Sequence, residues 1–269
     1  MRFTVTHYTA SYTPIDTDPH YRFITIAGVS HTVTSSDPYG RAIRDHHRDE
    51  QNQPLLDRNG NRTREHPIAR FYFSEFSGND WLESYLDEPL LDTGAGAGRH
   101  ALYFQERFET VAIEISEYLV EIMRERGVED ARHADMFALR ETFGRDRFES
   151  AFAHGTQVGL AGSMAGLRRF LRDLAFVTTP DATAVLDAND PDHEGASSLF
   201  GYRPDPTPGL AYRLYWFEYE GEASEPLLFR LFSPDRFREA TIGTGWKVAE
   251  IQRGSDEHGH HYRAVLTKR

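Results

Sequence analysis

Apolar and polar positions change period several times along this chain. Leu90-Leu91 is a short apolar run ending at Asp92, Thr110 to Ile113 runs into Glu114, and Ala131 to Ala134 runs into Asp135. Arg147 to Ala153 and Ala182 to Asp187 read as two further strands. Between them lie segments with helical spacing: Arg99 to Arg107, Glu117 to Arg126, and Ser163 to Phe176, where Leu167, Phe170, Leu171 and Leu174 fall on one stripe. Such alternation predicts an α/β fold, a mostly parallel sheet with helices on both faces. After Asp187 the alternation stops. Ala188 to Gly209 is a Pro/Asp/Gly-rich loop, and Leu210 to Tyr219 with Pro226 to Phe232 predicts an antiparallel hairpin. Ser233-Pro234 opens a helix with an N-cap and a proline in its first turn. Gly245 to Ile251 and Tyr262 to Thr267 predict a terminal strand pair.

Ahead of the first core strand the pattern is weaker. Residues 1–36 read as an N-terminal extension, in which Tyr21 to Ala27 fits an edge strand or a mobile tail equally well. Residues 37–269 read as one domain, with 37–81 as a lid and 188–232 as an insertion after the fifth strand. The lid predicts a helix over Tyr39 to Arg48, a hairpin turning at Asn59-Gly60, the aromatic triplet Phe71-Tyr72-Phe73, and a helix around Asp80 to Tyr85.

The segment between the first strand and the first helix carries the chemistry. Gly94, Gly96 and Gly98 make a turn almost free of side chains, and the helix that follows presents unpaired N–H groups. That is a nucleotide-type loop. A dinucleotide loop wants its third glycine at the sixth position, where Arg99 stands, and the Gly-Lys-Ser/Thr ending of a P-loop is absent. Glu114 ends the next strand about 20 residues on, where doubly wound folds hold ribose hydroxyls. Asp135 ends the third strand, with Met136 beside it.

An acid two residues before a Gly-x-Gly-x-Gly run resembles the first motif of class I S-adenosylmethionine (SAM)-dependent methyltransferases. Asp37-Pro-Tyr-Gly, Tyr72-Phe73, the run from His154 to Gly162, and Gly245-Trp246 also resemble a bacterial and archaeal group of them, mostly without assigned substrates. The resemblance spans about residues 38 to 269. It implies a Rossmann-like sheet whose last strand is antiparallel, SAM as cofactor, and methyl transfer by in-line displacement. It implies a cofactor site lined by Tyr72, Asp92, Gly94, Ala95, Gly96, Gly98, Glu114, Ile115, Asp135, Met136, His154 and Gly155. Asp92 would position the ammonium end of SAM, and the loop amides its carboxylate. Relatives often place Asn or Asp where His154 stands. His154 is the candidate base if the acceptor must lose a proton, and a pocket-wall histidine is the plainer alternative.

Composition narrows the chemistry. Cysteine is absent, so disulfides, thiolate metal sites and a covalent cysteine nucleophile are excluded. No apolar run reaches the ~20 residues of a membrane span, and no signal peptide precedes the domain, so a cytoplasmic protein is expected. The formal charge is −12, and only Lys247 and Lys268 are lysines, a surface like that of halophilic proteins. Such a charge argues against nucleic-acid partners at low salt and loses force at high salt. His258, His260 and His261 fit a solvated turn better than a metal cluster, and His46-His47 likewise. Arg99 begins the helix or pairs with Asp92. The aromatics Tyr212, Tyr215, Trp216, Phe217 and Tyr219 fit hairpin packing or a pocket mouth. The expected acceptor is a small molecule. A protein or RNA acceptor, a nicotinamide-dependent oxidoreductase and a noncatalytic SAM-binding protein remain open alternatives.

Overall fold

The structure, a computed structural model, describes residues 37–254 and 259–269. The expectation for Tyr21 to Ala27 and the side chain of His258 lie outside the described residues. In chain order the elements are α1 (Pro38–His47), β1 (Leu56–Asn59), β2 (Arg62–Glu65), a π-helical turn (Ala69–Phe73), α2 (Asp80–Glu83), β3 (Leu90–Thr93), α3 (Ala101–Phe104), β4 (Thr110–Glu114), α4 (Glu117–Glu125) and β5 (Ala131–His133). There follow α5 (Leu139–Thr142), β6 (Phe148–Ala153), α6 (Met164–Val177), β7 (Thr178–Asn189), β8 (Tyr202–Pro204), β9 (Leu210–Tyr219), β10 (Glu222–Ala223), β11 (Leu227–Phe232), α7 (Pro234–Thr241), β12 (Trp246–Arg253) and β13 (His261–Lys268).

Seven strands make the main sheet in the order β12-β13-β7-β6-β3-β4-β5. β3 to β7 are parallel, and β13 inserts antiparallel between β7 and β12. This is the expected Rossmann-like arrangement with its reversed last strand. The sheet is apolar on both faces, as a parallel sheet between helices must be. On one face Leu167, Phe170, Leu171 and Leu174 of α6 pack with Phe237 of α7 and Leu139 of α5. On the other, Leu82, Phe104, Ala101, Val120 and Met123 bring in α2, α3 and α4.

The lid and the insertion do not form two separate covers. β9 pairs with β10 and β11 on one side and with β8 and β1 on the other, so the hairpin β1–β2 and residues 202–232 make one antiparallel sheet. Its core joins Ile43 of α1, Leu55, Tyr215, Phe217 and Tyr219 to Ala97 in the glycine loop and Ile122 of α4. β11 is held against the segment after β6: a Cβ on Gly159 would stand 2.8 Å from the Arg230 carbonyl oxygen. The hairpin turn is Gly60-Asn61, one residue later than expected, because Asn59 pairs with Arg62 and Gly60 takes the left-handed φ of +56°. The helix expected over Arg99 to Arg107 is α-helical only over Ala101–Phe104, with turns on either side. Among the described residues no helix is long and apolar enough to cross a membrane.

Candidate cofactor site

Asp92, Glu114 and Asp135 stand at or just beyond the carboxyl ends of three adjacent parallel strands, in the order β3, β4, β5. Asp92 is paired on both sides, with Ala112 and Phe152, and is 2% exposed. Its Oδ2 atom is buried and, among the described residues, has no hydrogen-bond partner. Burial pushes its carboxyl up to about 7, and the nearby charge of Glu114 pushes the same way. A buried carboxylate oxygen left without a donor is a strong sign that a ligand supplies one.

Glu114 is the better satisfied acid. Its Oε2 accepts the Gly96 N–H at 3.0 Å, and its Oε1 accepts the N–H groups of Ile115 (2.8 Å) and Ser116 (3.2 Å). Burial raises its pKa, and these three amides act against the rise. Ile115 points out to solvent, 63% exposed, an exposed apolar side chain beside the site. Asp135 caps the turn that follows β5, accepting the Phe137 N–H at 2.8 Å. Met136 is buried in the main core rather than open to the site.

The three loop glycines do different work. All have left-handed φ, +66° at Gly94, +59° at Gly96 and +78° at Gly98. A Cβ on Gly98 would come within 2.7 Å of Val128 and 3.0 Å of Met123, so this glycine lets the loop close on α4. It fills the packing role that the sixth position holds in dinucleotide loops. A Cβ on Gly96 would lie 3.4 Å from the Tyr72 ring, and one on Gly94 3.0 Å from the Gln157 side chain. Ala95 sits between them as part of the same turn. Tyr72 therefore reaches the loop. Arg126 holds it there, its guanidinium donating to the carbonyls of Tyr72 (3.1 Å) and Ala97. Arg99 does not pair with Asp92: it donates to the carbonyls of Ser74 (2.9 Å) and Glu75 (3.2 Å), fastening the chain after the triplet.

His154 follows β6 directly, and its environment was only partly legible. Its Nδ1 lies 3.0 Å from Asp187 Oδ2 but off the line of a hydrogen bond. Asp187, 1% exposed near the end of β7, also accepts the N–H groups of Gly155 (3.0 Å) and Thr156 (2.6 Å) and the His261 ring at 3.0 Å. Burial alone would raise its carboxyl, but His154 and His261 outweigh this and hold it far below the usual range. His154 stands edge-on to His100 at 4.7 Å, and burial, reinforced by His154, keeps His100 neutral well below its ordinary pKa. Residue patterning missed Asp187 and His100. Asp187 offered a signal, a carboxylate ending an apolar strand as Asp92 and Glu114 do. His261, expected in a solvated turn, opens β13 and faces Asp187 instead. Among the described residues no cluster of His, Asp or Glu is arranged to hold a metal ion.

No protein-family model matches the chain, and no curated protein does. Solved structures do. A SAM-dependent methyltransferase from Bacteroides fragilis, in complex with S-adenosyl-L-homocysteine, superposes with a TM-score of 0.70 at 24% identity, over 86% of this chain and 94% of that one. A S-adenosylmethionine-dependent methyltransferase from Clostridium acetobutylicum gives 0.55 at 13%, over 70% and 87%. CalS10, a SAM-bound amino pentose methyltransferase from Micromonospora echinaspora, gives 0.50 at 18%, over 71% and 88%. The fold is therefore that of SAM-dependent methyltransferases.

Proposed function

We propose that the chain is an enzyme that transfers a methyl group from SAM to a small molecule. One observation carries the reading: a buried, partnerless carboxylate oxygen on Asp92 at the head of a glycine loop. SAM, when bound, supplies a methyl group on a sulfonium as the electrophile. In this reading Asp92 Oδ2 accepts from the ammonium of the cofactor, and the loop amides hold its carboxylate. Glu114 would offer its remaining lone pairs to the ribose hydroxyls, and Asp135 would accept from the adenine amine. Ile115 and Gly155 shape the walls. In-line displacement gains most from alignment, which the glycine loop between β3 and α3, packed on α4 at Gly98, would provide. His154, with Asp187 behind its ring, accepts the acceptor's proton where one must leave.

A small acceptor is favoured because one continuous antiparallel sheet joins the lid to the insertion and packs on the glycine loop. Such a cover suits a compact substrate better than a macromolecule. CalS10, whose acceptor is an amino pentose, offers a precedent in the same fold. The test is calorimetry with SAM and S-adenosylhomocysteine in concentrated salt. Binding of both is expected; no heat from either, with the protein folded, overturns the proposal. Labelled SAM in fractionated lysate then separates acceptor classes, and label confined to macromolecules contradicts a small acceptor.

A further inference from the structure

A chain of four polar side chains runs through the core of the lid and touches the glycine loop at Tyr72. Asp57 of β1 is fully buried and accepts from Arg64 Nε (2.7 Å) and pairs with His66 Nδ1 (2.9 Å). The other ring nitrogen of His66, Nε2, lies 3.2 Å from the Tyr72 hydroxyl, which is bonded in turn to the Tyr39 hydroxyl. Aromatic rings enclose the chain: Phe217 packs on Tyr39 at 4.5 Å and on His66 at 5.4 Å. The four residues come from β1, the residue after β2, the π-helical turn and α1. π-Helical turns cost regular hydrogen bonds and recur at functional sites. An all-apolar lid core would pack as well without the cost of burying these groups.

The protons along this chain can be placed in order. Burial would raise the Asp57 carboxyl, but the bonds from His66 and Arg64 outweigh it and hold it below the usual range, so it is ionised and can only accept. His66 Nδ1 therefore carries a proton. In the neutral ring Nε2 is then bare, and Tyr72 must donate to it. The oxygen of Tyr72 is left to accept from Tyr39, and the oxygen of Tyr39 is left with lone pairs and no proton. Burial above all raises the pKa of both hydroxyls and keeps both tyrosines neutral.

We propose that Asp57 and His66 are positioning residues that fix the direction of this chain, so that Tyr39, bonded to the tyrosine that touches Gly96, meets the cofactor as an acceptor and selects a ligand group that donates. This rests on the SAM-binding reading. The donor belongs either to the ribose hydroxyls or to the ammonium of the amino-acid end. Replacing Asp57 by Asn removes the fixed acceptor, allows His66 to carry its proton on Nε2, and turns Tyr39 into a donor.

The experiment is a thermodynamic cycle on S-adenosylhomocysteine binding with wild type, Asp57→Asn, Tyr39→Phe and the double variant, alongside nitrogen NMR of the His66 ring. Each single variant should weaken binding about tenfold, the worth of one hydrogen bond, and the double variant by about the same factor. The wild-type ring should carry its proton on Nδ1, and the Asp57→Asn ring on Nε2. With a 3′-deoxyribose analogue or with 5′-methylthioadenosine, which lacks the ammonium, the Tyr39→Phe loss should vanish for one of the two and so identify the donor. Multiplying losses in the double variant, a wild-type proton on Nε2, or a Tyr39→Phe loss unchanged with both analogues overturns the proposal. The wild-type tautomer and Tyr39→Phe still decide it if Asp57→Asn fails to fold. Absence of wild-type binding would instead defeat the SAM reading, while the ring tautomer still tests the chain's direction.

Discussion

Glu114 ends the strand beside Asp92 and stands close enough to make the ionisation of Asp92 harder, adding to the burial that pushes it up to about 7. A ligand ammonium on Asp92 reverses that shift. Affinity for S-adenosylhomocysteine should therefore rise with pH, by up to about tenfold per unit below pH 7, and level off above it. Calorimetry in buffers of different ionisation heat should show protons released on binding. An affinity independent of pH would contradict this.

The same residue predicts a stability effect of opposite use. Its folded pKa is raised above the ordinary 3.8, so its contribution is complete below that value and is lost as pH climbs through about 7. Asp92→Asn should therefore stabilise the free protein by about 1–4 kcal/mol at alkaline pH, and by little at acid pH. Urea unfolding at the two pH values measures it, together with the weakened cofactor binding that the variant should show.

Asp187 should behave the other way. Its folded pKa is depressed, so its stabilisation is present above 3.8 and is lost as pH falls below that value. Asp187→Asn removes the charge and one of the two acceptor oxygens, so either Thr156 on Oδ1 or Gly155 and His261 on Oδ2 lose their acceptor. A loss of about 2–4 kcal/mol is expected at neutral pH. Melting curves of variant and wild type should converge in acid.

Two glycines with similar φ should respond unequally to alanine. At Gly98 the new Cβ meets Val128 and Met123, and about 2–4 kcal/mol of stability should be lost. At Gly60 nothing lies within 4 Å, and only the backbone strain of about 1 kcal/mol remains. Denaturant midpoints of the two variants would separate packing from strain.

Tyr72 and Arg126 make the lid's attachment to the glycine loop measurable. Residues 71–76 should exchange amide hydrogens more slowly with S-adenosylhomocysteine bound, and Arg126→Ala should speed exchange there in the free protein. Equal protection in both states would make the segment a fixed part of the core.

The main sheet was legible because its information is local. Four of its five parallel strands are apolar runs leading to an acid (Asp92, Glu114, Asp135 and Asp187), and Leu167, Phe170, Leu171 and Leu174 mark their helix by spacing alone. The antiparallel sheet was not legible as one body. Its hairpins were, but the pairing of Leu56 to Arg58 with Trp216 to Glu218 joins segments far apart in sequence, and β2 is exposed along its whole length. Nothing in the sequence around Asp57 and His66 marks them as buried; the strand β9 covers them. Arg99 beside the loop suggested a partner for Asp92, yet the carbonyls of Ser74 and Glu75, set by the path of the lid, claim it.

The strand β9 has a consequence for the order in which the molecule assembles. Its partner β11 lies nearby in the chain, so those two strands can meet early, as a local hairpin. β1 must wait until β9 exists, although it is made first, and long-range antiparallel pairing is slow. The cover over the glycine loop is thus a late folding event that begins with its last-synthesised strands. Slow-refolding molecules should accordingly have a formed main sheet and an open cofactor loop.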